Sequence, residues 1–175
     1  FFLFESGEPC VSTPAATAGA LVINEILADP PRGGRGDANA DGVRDPSDDE
    51  FVEIINTGHA PVCTAGWTLG DARDPQRHVF PLGAALLPGE ALVIFGGGVP
   101  TGRFGGARVQ WAAFGGRLNL SNAGDVLTLR DASGVVVKQV SWGDCAGQPC
   151  APDHRVGELE LASSLVRWPE LRGSW

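Results

Sequence analysis

The chain has 175 residues, 43 % of them apolar and 19 % charged, which suits one well-buried domain and argues against a disordered chain. Gly (25) and Pro (13) are abundant, a composition that disfavours long helices and fits a turn-rich all-β fold. The net charge is −8, and residues 37–53 alone carry −6 of it, so the near-neutral remainder argues against nucleic-acid binding driven by phosphate contacts.

Residues 1–19 read as an extended N-terminal arm containing Pro9 and Pro14. Its start, Phe1-Phe-Leu-Phe4, is apolar but too short to span a bilayer or to be a whole signal peptide. No later segment reaches about 18 unbroken apolar residues, so no membrane span is expected. With no methionine, the chain reads as processed or as a fragment.

Residues 20–175 then read as one β-sandwich domain. Leu21-Val-Ile-Asn-Glu-Ile-Leu27 is the first strand, ended by Pro30-Pro31. The acidic stretch that follows is the most informative part of the chain. Taken as a 12-residue loop from Asp37 to Asp48, it has oxygen-bearing side chains at positions 1, 3, 5, 9 and 12 and Gly at position 6, the pattern of a calcium loop. Ca²⁺ takes about six to eight oxygens. Asp37, Asn39 and Asp41 would supply side-chain oxygens and Val43 its carbonyl. Asp45 would bind directly or through water, and Asp48 would close the shell. Gly42 permits the sharp turn. Arg44 stands where helix–loop–helix calcium hands have an aliphatic residue, and Asp48 replaces the usual Glu, with Asp49 or Glu50 as substitutes. The flanks read as coil and strand, so the loop is grafted onto a sandwich.

Glu50-Phe-Val-Glu-Ile-Ile-Asn56 is the next strand, with Phe51 and Glu53 on one face and Val52 and Ile54 on the other. Gly66–Asp71, Arg77–Pro81, Ala91–Phe95, Arg108–Trp111, Asp125–Arg130, Val135–Trp142 and Ser164–Arg167 follow. Asp131-Ala-Ser-Gly134 is a hairpin turn. The result is about nine short strands without an amphipathic helix, the pattern of an immunoglobulin-like β-sandwich. Trp67, Trp111 and Trp142 are expected in the core, and Trp168 and Trp175 read as contact residues of the tail.

The four cysteines allow three connectivities. Cys145 and Cys150 close a short local loop, which leaves Cys10 with Cys63 to tie the arm to the body. The rivals are zinc, held by Cys145, Cys150 and His154 with Cys63 as a fourth ligand, and free buried thiols. Disulfides imply an oxidising compartment, where millimolar calcium is also found.

The ordered set Val22-Ile-Asn-Glu-Ile-Leu27, Glu50–Gly58, Gly66-Trp-Thr-Leu69, His78-Val-Phe-Pro81, Leu87-Pro-Gly89, Val93–Gly98 and Asn119–Leu129 resembles the lamin tail domain in its bacterial form. The resemblance covers roughly residues 20–168. It implies an immunoglobulin-like sandwich used for binding or anchoring, often on secreted or surface proteins, and bacterial members often carry an Asp-rich loop between the first two strands. Nothing in the chain corresponds to a filament-forming coiled coil, so nuclear function is not implied.

Other motifs are weaker. Arg35-Gly36-Asp37 is an integrin-type tripeptide whose Asp is better used by calcium. Gly97-x4-Gly102-Arg103-Phe104 lacks the Lys and Ser/Thr of a phosphate loop and reads as a surface loop. Asn119-Leu-Ser121 is a glycosylation sequon. His59, His78 and His154 are scattered, no Gly-x-Ser-x-Gly occurs, and Glu25 with Glu53 is the only carboxylate pair suggested by neighbouring strands. The expected function is therefore a non-enzymatic, Ca²⁺-stabilised extracellular module for adhesion or surface display, with a protein or cell-surface partner. The alternatives are a self-associating structural subunit of an extracellular filament, using the arm, and an accessory domain of a secreted hydrolase.

Overall fold

Alternation of apolar and polar residues sets the strands, and Gly, Pro, Asn and Asp set the breaks between them. The computed structural model describes residues 20–112, 117–150, 155–156 and 164–166. In chain order the strands are β1 (Leu21–Leu27), β2 (Phe51–Asn56), β3 (Val62–Cys63), β4 (Thr68–Gly70), β5 (His78–Val79), β6 (Ala85–Leu86), β7 (Ala91–Phe95), β8 (Arg108–Trp111), β9 (Gly124–Arg130), β10 (Val136–Gly143), β11 (Arg155–Val156) and β12 (Leu165–Val166). All nine expected strands are present. The three that were not expected, β3, β6 and β11, are two residues long and too short to show a period.

One sheet has the order β12-β1-β2-β7-β8 and the other β11-β10-β9-β4-β5, with β3 and β6 forming a separate ribbon. Most neighbours are antiparallel, but β8 lies parallel to β7 and β11 parallel to β10. The sheets share one core. Ile23, Val52, Ile54, Leu92 and Ile94 from the first share it with Leu69, Leu127, Leu129, Val140 and Trp142 from the second and with Trp67 just before β4. The architecture is an immunoglobulin-like β-sandwich. Val52 and Ile54 point inward and Phe51 and Glu53 outward, as the alternation in β2 requires.

Trp67 and Trp142 are fully buried, and the Trp142 indole N–H donates to the Ser121 carbonyl at 2.8 Å. Trp111 departs from expectation. It is 52 % exposed, because β8 ends its sheet and only β7 flanks it among the described residues. Trp168, Trp175 and the arm 1–19 lie outside the described residues.

The end of β2 is fastened by Asn56, which is fully buried. Its Nδ2 donates to the carbonyls of Ala60 and Leu86, each at 2.9 Å, and its Oδ1 accepts from the Gly58 N–H at 3.0 Å. One side chain thus sets the turn after β2 and anchors the β3–β6 ribbon. Asn56→Ala removes three hydrogen bonds, one of them to the buried Leu86 carbonyl, and should cost about 2–3 kcal/mol in urea unfolding. A loss below about 0.5 kcal/mol would show that water replaces the amide.

Candidate functional site

The acidic segment is a folded loop whose carboxylates cap its own backbone. Asp37 accepts from the N–H groups of Asp41 (3.1 Å) and Gly42 (3.0 Å). Asn39 Oδ1 also accepts from Asp41 N–H (3.0 Å), and Asp41 Oδ1 from Val43 N–H (2.8 Å). These are successive Asx-type turns, the local bonding that short acidic side chains favour. Gly42 has φ +90°, so the turn uses the residue that reaches that region without strain. Asp45 Oδ1 accepts from Ser47 N–H (2.8 Å) and Asp48 N–H (3.0 Å), and these bonds hold its carboxyl below the usual pKa. Buried Asp49 bridges both halves, accepting from Asn39 N–H (3.1 Å) and Asp45 N–H (2.8 Å).

The loop rests on a wall that sequence spacing does not reveal, the glycine-rich segment after β7. A Cβ on Gly96 would overlap the Ser47 carbonyl oxygen, one on Gly97 the Asp48 carboxylate, and one on Gly98 the side chains of Asn39 and Asp41. Gly97 N–H donates to Asp48 O (3.1 Å), Val99 N–H to Asp41 Oδ2 (3.2 Å), Thr101 N–H to Asn39 O (3.1 Å), and Asn39 Nδ2 to Gly97 O (3.3 Å). The segment read as a surface loop is therefore the counterpart of the acidic one. It also carries the chain from β7 across to parallel β8, with Phe104 packed on Phe95.

Two arginines brace the loop. Arg44 donates to the carbonyls of Pro30 and Pro31, which accounts for a long polar residue at that position. Arg117, which the sequence pattern did not single out, lies 3.5 Å from Asp48 and 3.8 Å from Asp45. Burial raises the Asp48 pKa, and Asp45, Asp41 and Asp49 add to the rise by like-charge repulsion.

The six expected calcium ligands, Asp37, Asn39, Asp41, Val43, Asp45 and Asp48, thus share one loop, and their donor types suit Ca²⁺. Among the described residues, however, no three His, Cys, Asp or Glu side chains converge as a metal-holding group. The Asp45 and Asp48 carboxylates face Arg117, and Asp49 and Glu50 are committed elsewhere. Asp37 of the Arg-Gly-Asp tripeptide is bonded within the loop and Gly36 is buried, which is unlike a displayed adhesion tip. In the sequon, Leu120 is buried between an exposed Asn119 and Ser121, whose N–H donates to Asp125.

Glu50, at the loop's exit, is 5 % exposed, and its Oε2 accepts from the Leu120 N–H at 3.1 Å. Burial pushes its pKa up to about 8. Asp125 is raised by the same cause, against hydrogen bonds from Val126 and Ser121.

The other candidate chemistry does not assemble. Cys145 and Cys150 form a disulfide with Cα atoms 5.4 Å apart, which removes both from the zinc reading; His154 lies outside the described residues. Cys63 is disulfide-bonded too, and its expected partner Cys10 lies outside the described residues. Glu25 and Glu53 are register partners, but Glu53 accepts the Asn24 amide at 2.7 Å where an irregularity interrupts β1. His59 is exposed. His78 is buried, with Nε2 2.7 Å from Gln110 Oε1.

A family model described as Lamin Tail Domain matches residues 14–144, and β11 and β12 lie beyond the match. No curated protein matches the chain.

Proposed function

The chain belongs to the lamin tail domain family, a non-catalytic, immunoglobulin-like family of protein-interaction modules, and from that premise we propose that it is a calcium-stabilised extracellular module for adhesion or surface display. The observation that carries the reading is the acidic insertion itself. Its carboxylates accept from backbone N–H groups and it packs against Gly96–Gly98, so it acts as a clasp between β1 and β7. The disulfide Cys145–Cys150 and the bonded Cys63 support an oxidising location. Among the described residues no helix is long and apolar enough to cross a membrane.

Calcium would draw Asp45 and Asp48 from Arg117 toward Asp37, Asn39 and Asp41, relieving the repulsion that raises Asp48. Millimolar Ca²⁺ should then raise the melting temperature by several degrees, and EDTA should reverse it. An unchanged melting curve, with no heat of Ca²⁺ binding, would leave the clasp self-supporting and remove calcium from the reading. The structural-subunit reading draws on the edge strands β5 and β8 and the exposed apolar residues beside them. The hydrolase-accessory reading draws on the acidic loop as a metal holder, and among the described residues no three His, Cys, Asp or Glu side chains group to hold a metal ion.

A further inference from the structure

The last strand of each sheet, β5 in one and β8 in the other, borders a pocket of about 730 Å³ whose lining includes no residue of the clasp. That volume is within the range of pockets that take whole ligands or several side chains. Of the residues lining it, Leu82 is 91 % exposed, Trp111 52 % and Val79 42 %, a cluster of large apolar groups in contact with water. None of the lining residues is acidic, lysine or arginine. His78 is buried, and burial holds its pKa below the usual value, so it is neutral at pH 7. The wall therefore suits an uncharged, apolar occupant.

Its hydrogen-bonding side chains are one-sided. The Trp111 indole N–H can only donate, and it has no hydrogen-bond partner among the described residues. The Gln110 amide has its oxygen 2.7 Å from His78 Nε2 and leaves its NH₂ without a partner among the described residues. That contact makes Nε2 the protonated imidazole nitrogen. The remaining acceptor, His78 Nδ1, is sealed away from any occupant. Two of the backbone carbonyls along the wall are already engaged: Phe80 O accepts from Gly66 N–H and Pro81 O from Ala84 N–H, each at 3.0 Å. The lining side chains thus offer donors to an occupant and no accessible acceptor.

We propose that this pocket binds a proline-rich segment of a partner protein, in the polyproline II conformation. The inference deepens the protein-interaction reading given above, on which it rests, and does not depend on calcium. An ordinary peptide brings one N–H per residue, and N–H groups laid on this wall would be buried without acceptors. Proline brings a carbonyl and an apolar ring and no N–H. Its rings suit Val79, Leu82 and the Trp111 face, and its carbonyls suit the Trp111 and Gln110 donors. A polyproline II segment is also preformed, so docking it costs little ordering entropy.

The test titrates the full 175-residue chain, isotope-labelled and in EDTA, with a decaproline peptide. Amide shifts should move over residues 78–82 and 108–111 and stay in place over the clasp, 37–50. Trp111→Phe keeps an aromatic face and removes the N–H, and should weaken binding about five-fold. Trp111→Ala should weaken it roughly thirty-fold. Trp111 is half-exposed, so neither change should unfold the core. Absence of shifts at millimolar decaproline would overturn the proposal, as would equal affinity of Trp111→Phe and wild type. So would a Thr-Val repeat of equal length that binds as tightly, because the open strand edges would then be what is recognised. A wild-type dimer that Trp111→Ala converts to monomer would overturn it too, by giving the pocket to a second copy. Because EDTA is present throughout, failure here leaves the calcium reading standing, and the last two outcomes keep the interaction module while removing the proline-rich partner.

Discussion

Replacing Gly96 with alanine is expected to lower the melting temperature by about 10 °C. The added methyl would overlap the Ser47 carbonyl oxygen, and both partners are backbone, so no side-chain rotation relieves it. Nor can the chain easily shift. Gly96 N–H donates to Glu50 O at 2.8 Å, and Gly97 N–H to Asp48 O at 3.1 Å, which fixes the distance between the two segments. Relief requires separating the clasp from its wall, with loss of the bonds to Asn39 and Asp41 that follow. Such overpacking costs on the order of 3–4 kcal/mol, and each kcal/mol shifts Tm by about 2–4 °C in a chain of this size. Gly34→Ala is the control, since its Cβ would meet nothing within 4 Å. Differential scanning calorimetry on the two variants decides it. A Gly96→Ala midpoint within about 2 °C of wild type would mean that the glycines are not a packed wall.

That wall marks the limit of what could be read from the residues in order. The strands were legible because their apolar positions alternate and their ends carry Gly, Pro or Asp; the Asp131–Gly134 turn is closed by Asp131 much as its composition suggests, accepting from Ser133 and Val135. The clasp was legible in part, because Asx turns bind residues two to five positions away, the same spacing that suggests a calcium loop. Its other half was not. Gly97 and Arg117 lie roughly fifty to seventy residues from the carboxylates they meet, and the pairing of β2 with β7 brings Gly97 near. Trp111 was misplaced for a related reason: apolarity marks a residue that can be buried, but being at a sheet edge follows from topology, which has no local signal.

The same long-range closure makes Glu50 the strongest source of pH dependence among the described residues. Its side chain enters the interior beside Leu120, seventy residues on, where it accepts from the Leu120 N–H. Desolvation penalises the charged form, so the folded pKa rises from an ordinary 4.5 to about 8. Because the folded state holds this proton more tightly than the unfolded chain, the contribution is fully present below pH 4.5. It declines at about 1.4 kcal/mol per pH unit as pH rises toward 8, and is level above that. Asp48 and Asp125, also raised by burial, act with the same sign, so the wild-type slope by itself does not isolate Glu50. Glu50→Gln does: it keeps an oxygen for the Leu120 N–H and cannot ionise. Urea unfolding at pH 5, 6.5, 8 and 9 should show the variant close to wild type at pH 5 and more stable by about 3–4 kcal/mol at pH 9. Parallel pH profiles for the two proteins would mean that Glu50 ionises in the folded state much as it does in water, and that the β2 exit admits solvent.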